Sequence, residues 1–300
     1  MTDLSPDDGS TPVTIASLHV YPVKSCGGVA LDAATLVETG FDPDRLWMVV
    51  DADGGFVSQR QLPRLALVQP TVRTTEVVLR APGMLPLHLP LDVAEQPLRV
   101  RIWDDELMAY TMGATADQWF STFLGQPLRL VRFDPAARRL SSRRWTGDVE
   151  APNTYSDGYP ILVTSTASLA ELNRRLTAAN RPAVEMARFR PNLVLDGLGA
   201  HGEDGLHELR FDTATGPVVL RLVKPCPRCP VPNIDPRTAV RGDEPGLTLA
   251  GYRADPRLDG AISFGMNAVI VDGGVERGAE DDRGDRVLRV GQAGLGTVRF

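Results

Sequence analysis

The chain has 300 residues, of which 43% are hydrophobic, so it is long enough to build the cores of two ordinary domains, and two is the number we expect. Its formal net charge of −6 argues against nucleic acid or an anionic membrane surface as the main partner. No stretch of 18 apolar residues interrupts the sequence, and residues 1–10 are polar and acidic, so we expect neither a membrane span nor a signal peptide.

The first third of the chain predicts short β-strands separated by turns. Apolar and polar residues alternate over residues 13–23 and 31–37, which is the strand period. Residues 46–50 and 56–58 flank Asp51-Ala52-Asp53-Gly54-Gly55, and this pattern predicts a hairpin because the turn residues tolerate positive φ. Further candidate strands cover residues 65–72, 76–81, 87–89 and 98–102. Their spacing indicates a small barrel or sandwich and not alternating βαβ units.

The middle of the chain predicts a short helix, a strand and a cationic connection. Residues 115–124 begin with an N-cap candidate, carry apolar residues at helical spacing and precede Gly125. Residues 128–133 return to the strand pattern. Residues 136–151 hold four arginines without an apolar period, so they are either a solvated connection or a basic loop over an anionic ligand. We place the domain boundary near residues 136–155, which gives domains 11–135 and 136–300.

A strand over residues 159–164 is predicted to run directly into a helix over residues 166–176, with Thr166 as its cap. The first backbone N–H groups of such a helix point outwards without partners, so this junction is either a candidate anion site or an ordinary capped helix start. Arg190 lies at the entrance of another predicted strand, residues 193–195, where its side chain could reach a ligand or be merely solvated.

Two cysteines follow the predicted strand 218–223, in the sequence Lys-Pro-Cys-Pro-Arg-Cys-Pro of residues 224–230. The prolines are expected to exclude both a helix and further sheet pairing, which would leave the thiols on a stiff loop. Such a pair can bind a metal, form a redox disulfide, act as a nucleophile or only pack as small residues, and its spacing alone does not decide between these uses. Zinc would need a second pair of ligands and a thioredoxin-type dithiol would need a helix start, whereas a single thiolate on a soft metal uses the most residues. The low cysteine count predicts a reducing, cytoplasmic compartment.

The remainder of the chain is predicted to be mostly β. Residues 240–250 form a turn-rich connection, residues 262–271 a strand and residues 272–274 a turn, and residues 287–290 and 297–300 are closing strands. The expected fold class is therefore mainly β with a few helices, and α+β in places.

Three motifs carry a family resemblance. They are residues 20–28 together with 44–47, then the Arg-Phe-Arg-Pro-Asn of residues 188–192, and the Lys-Pro-Cys-x-Arg-Cys loop that precedes Pro-x-x-Asp-Pro. In this order the motifs resemble the MOSC family, whose domain is shared by molybdenum cofactor sulfurases, the mitochondrial amidoxime-reducing component and its bacterial relatives. The resemblance implies a β-barrel-like MOSC fold, preceded by a MOSC N-terminal β-barrel domain.

The resemblance also implies a molybdenum–molybdopterin cofactor and a set of site residues. In the relatives the second cysteine of the loop is the metal ligand, which corresponds to Cys229, and we expect this residue to be the catalytic one. The pterin phosphate is expected near three cations and the predicted helix start, that is, near Lys24, Arg45, Arg190, Ser165, Thr166 and Ser168. Further cofactor contacts are expected from Ser25, Asn192, Pro227 and Arg228. Asp235 is interpreted as a turn residue before Pro236.

The function that this resemblance favours is a molybdenum-dependent oxidoreductase that reduces an N-hydroxylated or N-oxide small molecule. An iron–sulfur centre generally needs about four cysteines and this chain has three, so a separate ferredoxin or flavoprotein is expected to supply the electrons. Two alternatives stay open: a sulfur carrier with a persulfide on Cys229, and a non-catalytic cofactor-binding module. The chain shows no aminotransferase-like, pyridoxal-phosphate-binding portion of the kind that cofactor sulfurases carry, which weakens the sulfur-transfer alternative.

Overall fold

The structure is a computed structural model that describes residues 10–271 and 286–298, and this part of the chain is mainly β, as predicted. Its strands are β1 (Ser10–Val20), β2 (Val29–Leu31), β3 (Ala33–Val37), β4 (Gly40–Asp42), β5 (Trp47–Val50), β6 (Gln69–Val72), β7 (Glu76–Arg80), β8 (Leu87–Pro90), β9 (Pro97–Ile102), β10 (Asp105–Thr111), β11 (Arg129–Phe133), β12 (Ile161–Ser165), β13 (Leu193–Asp196), β14 (Leu206–Thr213), β15 (Gly216–Pro227), β16 (Ser263–Val271), β17 (Arg286–Arg289) and β18 (Ala293–Val298). Its α-helices are α1 (Ala114–Leu124), α2 (Arg143–Thr146), α3 (Thr166–Ala178) and α4 (Gly246–Ala250).

Seven strands close into a barrel in the order β13, β12, β16, β15, β14, β18 and β1, and β1 returns to β13. The closing pair is antiparallel, with Leu18 opposite Leu193. Only β12 and β13 run parallel within this ring of described strands, because α3 provides the crossover that a parallel pair requires. Closure leaves no open sheet edge between the seven strands.

Alternating residues of the barrel strands fill its interior. On β15, Val218, Leu220 and Leu222 are buried, and they meet Leu209 and Phe211 of β14 in one apolar cluster. Burying each such side chain stabilises the fold by about 1.5–3 kcal/mol. The strand period seen in the sequence therefore marks the faces that build this core.

A second group of sheets covers the rest of the N-terminal half. One sheet has the order β5, β11, β10, β9 and another the order β6, β7, β8, and α1 packs over a shared core that includes Trp47 and Phe120. The chain is not divided simply at its middle, since β1 pairs with β13 and β18 of the C-terminal half. The domain boundary near residues 136–155 stays a prediction.

Several predicted elements differ in the structure. Residues 56–58 form no strand, because Phe56 makes only a single bridge to Val50. Residues Pro63–Leu67 form a 3-10 helix, so the strand predicted over 65–72 begins at Gln69. Strands β10 and β14 were not predicted, and α1 begins after Gly113 without a side-chain cap. The predicted turn at 272–274 and residues 299–300 lie outside the described residues.

The prediction that the prolines end the pairing of the cysteine strand is wrong. Strand β15 continues to Pro227, with Pro225 opposite Met266 and Pro227 opposite Ser263 on β16. The register shifts before each of these prolines, and the backbone N–H of Arg228 donates to the Ile262 carbonyl at 2.8 Å. The bulges thus let residues that have an N–H make the ladder bonds that proline cannot make.

No helix within residues 10–271 and 286–298 combines the length and the apolar character needed to cross a membrane.

Candidate functional site

Loops from both halves of the chain meet in a cleft of about 180 Å³. They follow β1, precede β5, precede β12 and β13, and follow the end of β15. Eight of the residues predicted for the site line this cleft: Lys24, Ser25, Arg45, Arg190, Asn192, Pro227, Arg228 and Cys229. Residues up to 205 positions apart in the sequence, Lys24 and Cys229, are therefore brought to one place by the fold.

The lining of the cleft is strongly cationic in a chain whose net charge is −6. Among the described residues, seven cationic side chains face a single carboxylate there, that of Asp157, and the cations are Lys24, Arg45, Arg60, Arg188, Arg190, Lys224 and Arg228. Such an excess is costly unless an anion or local acceptors compensate it. The charge distribution indicates a site for an anionic ligand.

Lys24 is buried and anchored by the loop on the opposite side of the cleft. Its Nζ donates to the Tyr155 carbonyl at 2.8 Å and to the Asp157 carboxylate at 2.5 Å. Burial lowers the pKa of Lys24, and the charge of Asp157 opposes this effect. Enclosure raises the pKa of Asp157, but the adjacent ammonium outweighs it and brings the pKa to about 2. The Asp157 carboxylate is therefore ionised at neutral pH.

Arg45 and Arg190 both stack on the ring of Tyr21, with guanidinium-to-centroid distances of 4.4 and 4.2 Å. Arg45 pairs with the buried carboxylate of Asp44 and donates to the side-chain oxygen of Asn192 at 3.2 Å. Arg190 donates to the Cys26 carbonyl at 2.5 Å. Burial and the charge of Arg45 lower the pKa of Arg190, which shows that two cations are held close together here.

Three of the cleft residues have backbone conformations that most side chains avoid. The φ angles of Ser25, Arg45 and Arg190 are 68°, 50° and 57°. A non-glycine residue in this region costs about 1–3 kcal/mol, and such residues cluster at functional sites. The strain therefore supports a functional role for the loops that carry these residues.

The segment 156–159 supplies backbone donors to the cleft. Its four backbone N–H groups have no acceptor among the described residues, and all four residues line the cleft. Gly158 has a φ of 135°, and a Cβ built on it would meet nothing within 4 Å, so its backbone borders open space. The Tyr159 hydroxyl is buried without a partner. These N–H groups therefore remain available to a ligand.

The predicted helix start does not join the cleft. Ser165, and not Thr166, is the N-cap of α3 and accepts from the Ser168 backbone N–H, and Thr166 donates to Asp196 at 2.9 Å. The side chains of Ser165 and Ser168 both bond the fully buried carboxylate of Glu203, at 2.8 and 2.7 Å. The serine hydroxyls at this helix start thus already have an acceptor within the chain.

The three cysteines occupy different environments. Cys26 is completely buried and burial raises the pKa of its thiol to about 12, whereas Cys229 is exposed and lines the cleft. Cys226 also lines the cleft, and burial raises the pKa of its thiol. No cluster of three or more histidine, cysteine or acidic side chains that could hold a metal occurs in the described ranges.

Two arginines next to the cysteines stabilise the loop. Arg228 donates to the carbonyls of Phe264 and Phe189, each at 3.1 Å. Arg188 donates to the Pro232 carbonyl and to Asp235, both at 3.1 Å, and Asp235 also accepts from the Arg237 backbone. Asp235 therefore has the turn role that the sequence indicated.

Lys224 belongs to the cysteine motif but was not predicted for the site, and Arg60, Asp157, Tyr159 and Asn267 were not predicted for it either; all five line the cleft. Asp157 and Gly158 are turn-forming residues directly before a strand, a signal that could have placed them at its entrance. Arg60 and Asn267 had no such signal, because only long-range packing brings them to the cleft.

Two protein-family models and several known proteins match this chain. The MOSC N-terminal beta barrel domain matches residues 12–127 and the MOSC domain matches residues 150–293. Mitochondrial amidoxime-reducing component 1 of Mus musculus is 37% identical over 254 residues, which cover 81% of this chain and 72% of the relative. Mitochondrial amidoxime reducing component 2 of Bos taurus is 36% identical over 81% of this chain and 73% of the relative. Molybdenum cofactor sulfurase of Homo sapiens is 28% identical over 85% of this chain and 30% of the relative.

Proposed function

The chain belongs to the MOSC family, and from this premise we propose that it is a molybdenum-cofactor oxidoreductase that reduces N-hydroxylated or N-oxide small molecules. The observation that carries the proposal is the lining of the cleft, which among the described residues contains seven cationic side chains, two thiols and a single carboxylate. A pterin cofactor has an anionic phosphate and a soft metal, so it needs both of these features at one place.

The residues of the cleft fit the phosphate of such a cofactor. Lys24, Arg45 and Arg190 would hold the phosphate by charge-assisted hydrogen bonds. The free N–H groups of residues 156–159 add neutral donors. The open space at Gly158 leaves room for a ligand beside them. Burial raises the pKa of the unpartnered Tyr159 hydroxyl to about 12, so this group stays protonated and can donate to a ligand.

Cys229 would hold the metal. Its thiol is the exposed one of the two that line the cleft, whereas burial raises the pKa of Cys226 and disfavours its thiolate. Arg228 directs its guanidinium to two backbone carbonyls, which fixes the loop that presents Cys229. Ser25, Asn192 and Pro227 would complete the surroundings of the cofactor.

When bound, the molybdenum cofactor supplies oxygen-atom transfer coupled to two-electron chemistry. Reduction of an amidoxime to an amidine and water consumes two electrons and two protons, and a separate ferredoxin or flavoprotein would supply the electrons. Asp157 is a poor proton donor because the Lys24 ammonium keeps its pKa low, so its role is to orient Lys24. A cytoplasmic location stays a prediction.

The proposal is tested by elemental and pterin analysis of the purified protein, together with reduction of benzamidoxime by a chemical electron donor. Stoichiometric molybdenum and pterin with turnover are expected, and the pure protein should lack flavin or iron–sulfur absorbance. Zinc alone would overturn the proposal. A cyanide-labile sulfur without metal would favour the persulfide carrier, and loaded protein without turnover would favour a non-catalytic binding module.

A further inference from the structure

Trp103 occupies a backbone position that disfavours it. It is the first residue of the two-residue turn between β9 and β10, since Ile102 pairs with Asp105, and its φ angle is 54°. The common two-residue hairpin turns have a positive φ at this position and prefer glycine or asparagine there. For a bulky side chain this conformation is unfavourable. A tryptophan at this position therefore destabilises the turn.

The indole ring stands at the edge of the cleft and is 39% exposed. The Arg60 guanidinium lies 4.4 Å from its centroid, and the Phe56 ring lies 4.8 Å away at 59°. The Lys24 ammonium is 5.9 Å from the same centroid. Arg60, Phe56 and Lys24, which contact the indole, all line the cleft, so the indole lies directly behind this part of the lining.

Arg60 is weakly held in front of the indole. It has no ion pair in the part of the chain that the structure describes, and its guanidinium makes one long hydrogen bond there, from Nε to Ser58 Oγ at 3.4 Å. The stacking on Trp103 is thus the main interaction that places it. A guanidinium is a flat group of one carbon and three nitrogens, so the indole face already accepts a flat nitrogen-bearing group.

We propose that Trp103 is a substrate platform: the flat part of a conjugated N-hydroxylated compound, such as an aryl amidoxime, stacks on the indole after Arg60 moves aside. An amidoxime is also a planar carbon–nitrogen group, with two nitrogens on its carbon and no charge, and an attached aryl ring extends the stacked area. The nature of the reacting group rests on the proposed function. The stacking itself does not depend on turnover.

A purely structural role for Trp103 predicts different behaviour. If the indole served mainly to pack on Phe56 and cover Lys24, its removal would lower stability and weaken all ligands equally. If it is a platform kept in a strained turn, Trp103→Asn relieves the turn and leaves stability nearly unchanged, because asparagine tolerates positive φ. Stability and ligand preference together therefore separate the two roles.

The test compares benzamidoxime with cyclohexanecarboxamidoxime, which has the same reacting group on a puckered ring. Binding to the purified, cofactor-loaded protein is measured by equilibrium dialysis, and thermal unfolding is measured in parallel. We expect the wild type to prefer the flat compound by about 2- to 10-fold. Trp103→Asn should lose this preference with a Tm within about 2 °C of the wild type, and Trp103→Phe should keep part of it. Leu85→Asn, which changes another exposed apolar residue, is the control and should change neither quantity.

An unchanged preference in Trp103→Asn would overturn the platform, and so would a fall in Tm of several degrees with equal weakening of both compounds. Failure of the wild type to bind either compound would overturn it as well. If both compounds bind with the expected preference but neither is reduced, the proposed function fails while the platform stands.

Discussion

Two places in the molecule have the features of an anion site, and only one of them is open to a ligand. In the cleft, cations and free backbone N–H groups border open space at Gly158. At the start of α3, the side-chain donors are the hydroxyls of Ser165 and Ser168, and both are taken by Glu203, which is completely buried. A capped helix start thus binds an external anion only where the chain has not already supplied one.

The two places also differ in what holds them. The cleft is assembled from loops whose residues Ser25, Arg45 and Arg190 have strained backbones, whereas the start of α3 has an ordinary N-cap, Ser165, with an extended backbone. Strain persists where a ligand compensates it or where function requires it. The comparison leads to four predictions, which begin with the largest expected effect.

Replacing the metal-binding thiol should have the largest effect. Cys229→Ser is expected to abolish reduction of benzamidoxime, because a hydroxyl is a harder ligand than a thiolate, while pterin binding partly survives through the phosphate contacts. Cys226→Ser and Cys26→Ser should keep most of the activity. Turnover with a chemical donor and pterin content are measured on the same samples. Normal activity in Cys229→Ser with an inactive Cys226→Ser would show that the ligand assignment is wrong.

Arg190→Ala should weaken cofactor retention by about 10- to 100-fold, since a hydrogen bond to a charged group contributes about 1.5–3 kcal/mol. Molybdenum and pterin remaining after dialysis are the measurement. Ser168→Ala is the matched control at the other anion site and should retain the cofactor fully. Loss of cofactor in Ser168→Ala, or full retention in Arg190→Ala, would contradict the claim that the cofactor binds in the cleft and not at the start of α3.

Removal of Glu203 should convert the closed site into an open one. Glu203→Ala leaves the two buried hydroxyls of Ser165 and Ser168 without this acceptor, so the free energy of unfolding should fall by about 1–3 kcal/mol. Added sulfate should restore part of this loss by binding in place of the carboxylate. Urea unfolding with and without sulfate measures it, and the wild type in the same salt corrects for the general effect of sulfate. Equal stabilisation of both proteins would mean that no anion enters.

The smallest effect is an opposite pH dependence of the two carboxylates. The pKa of Asp157 is lowered from 3.8 to about 2, so its ionised form stabilises the protein, and this contribution is lost as the pH falls from about 4 to 2. Burial raises the pKa of Glu203 above 4.5, so its contribution is present at lower pH and is lost as the pH rises through the raised pKa.

Chemical denaturation of Asp157→Asn and Glu203→Gln from pH 2.5 to 7 tests these signs. With rising pH, the wild type should become more stable relative to Asp157→Asn and less stable relative to Glu203→Gln. The effect at Asp157 should be small because its side chain is 73% exposed. The same sign at both residues would contradict the assigned environments.

The amino-acid sequence by itself determined the mainly β class, most of the strands and eight of the residues that meet in the cleft. Strand period depends on nearest neighbours, and the motifs around Lys24, Arg190 and Cys229 each carry their own local signal, so these features could be identified without coordinates. A motif could not determine whether its hydrogen-bond donors are already bonded to another part of the chain.

That question was decided by tertiary structure, because the partner of a polar group is chosen by chain segments that are distant in sequence. Glu203 reaches Ser165 from 38 residues away and closes the predicted anion site at α3, while residues 156–159 keep their N–H groups free in the cleft. Barrel closure likewise carried β15 through its prolines, since the bulged pairing with β16 supplied the bonds that local propensity could not. Trp103 shows the same limit. No local pattern indicates that this residue is close to the cleft, and its contacts with Arg60 and Phe56, which are distant in sequence, place it there.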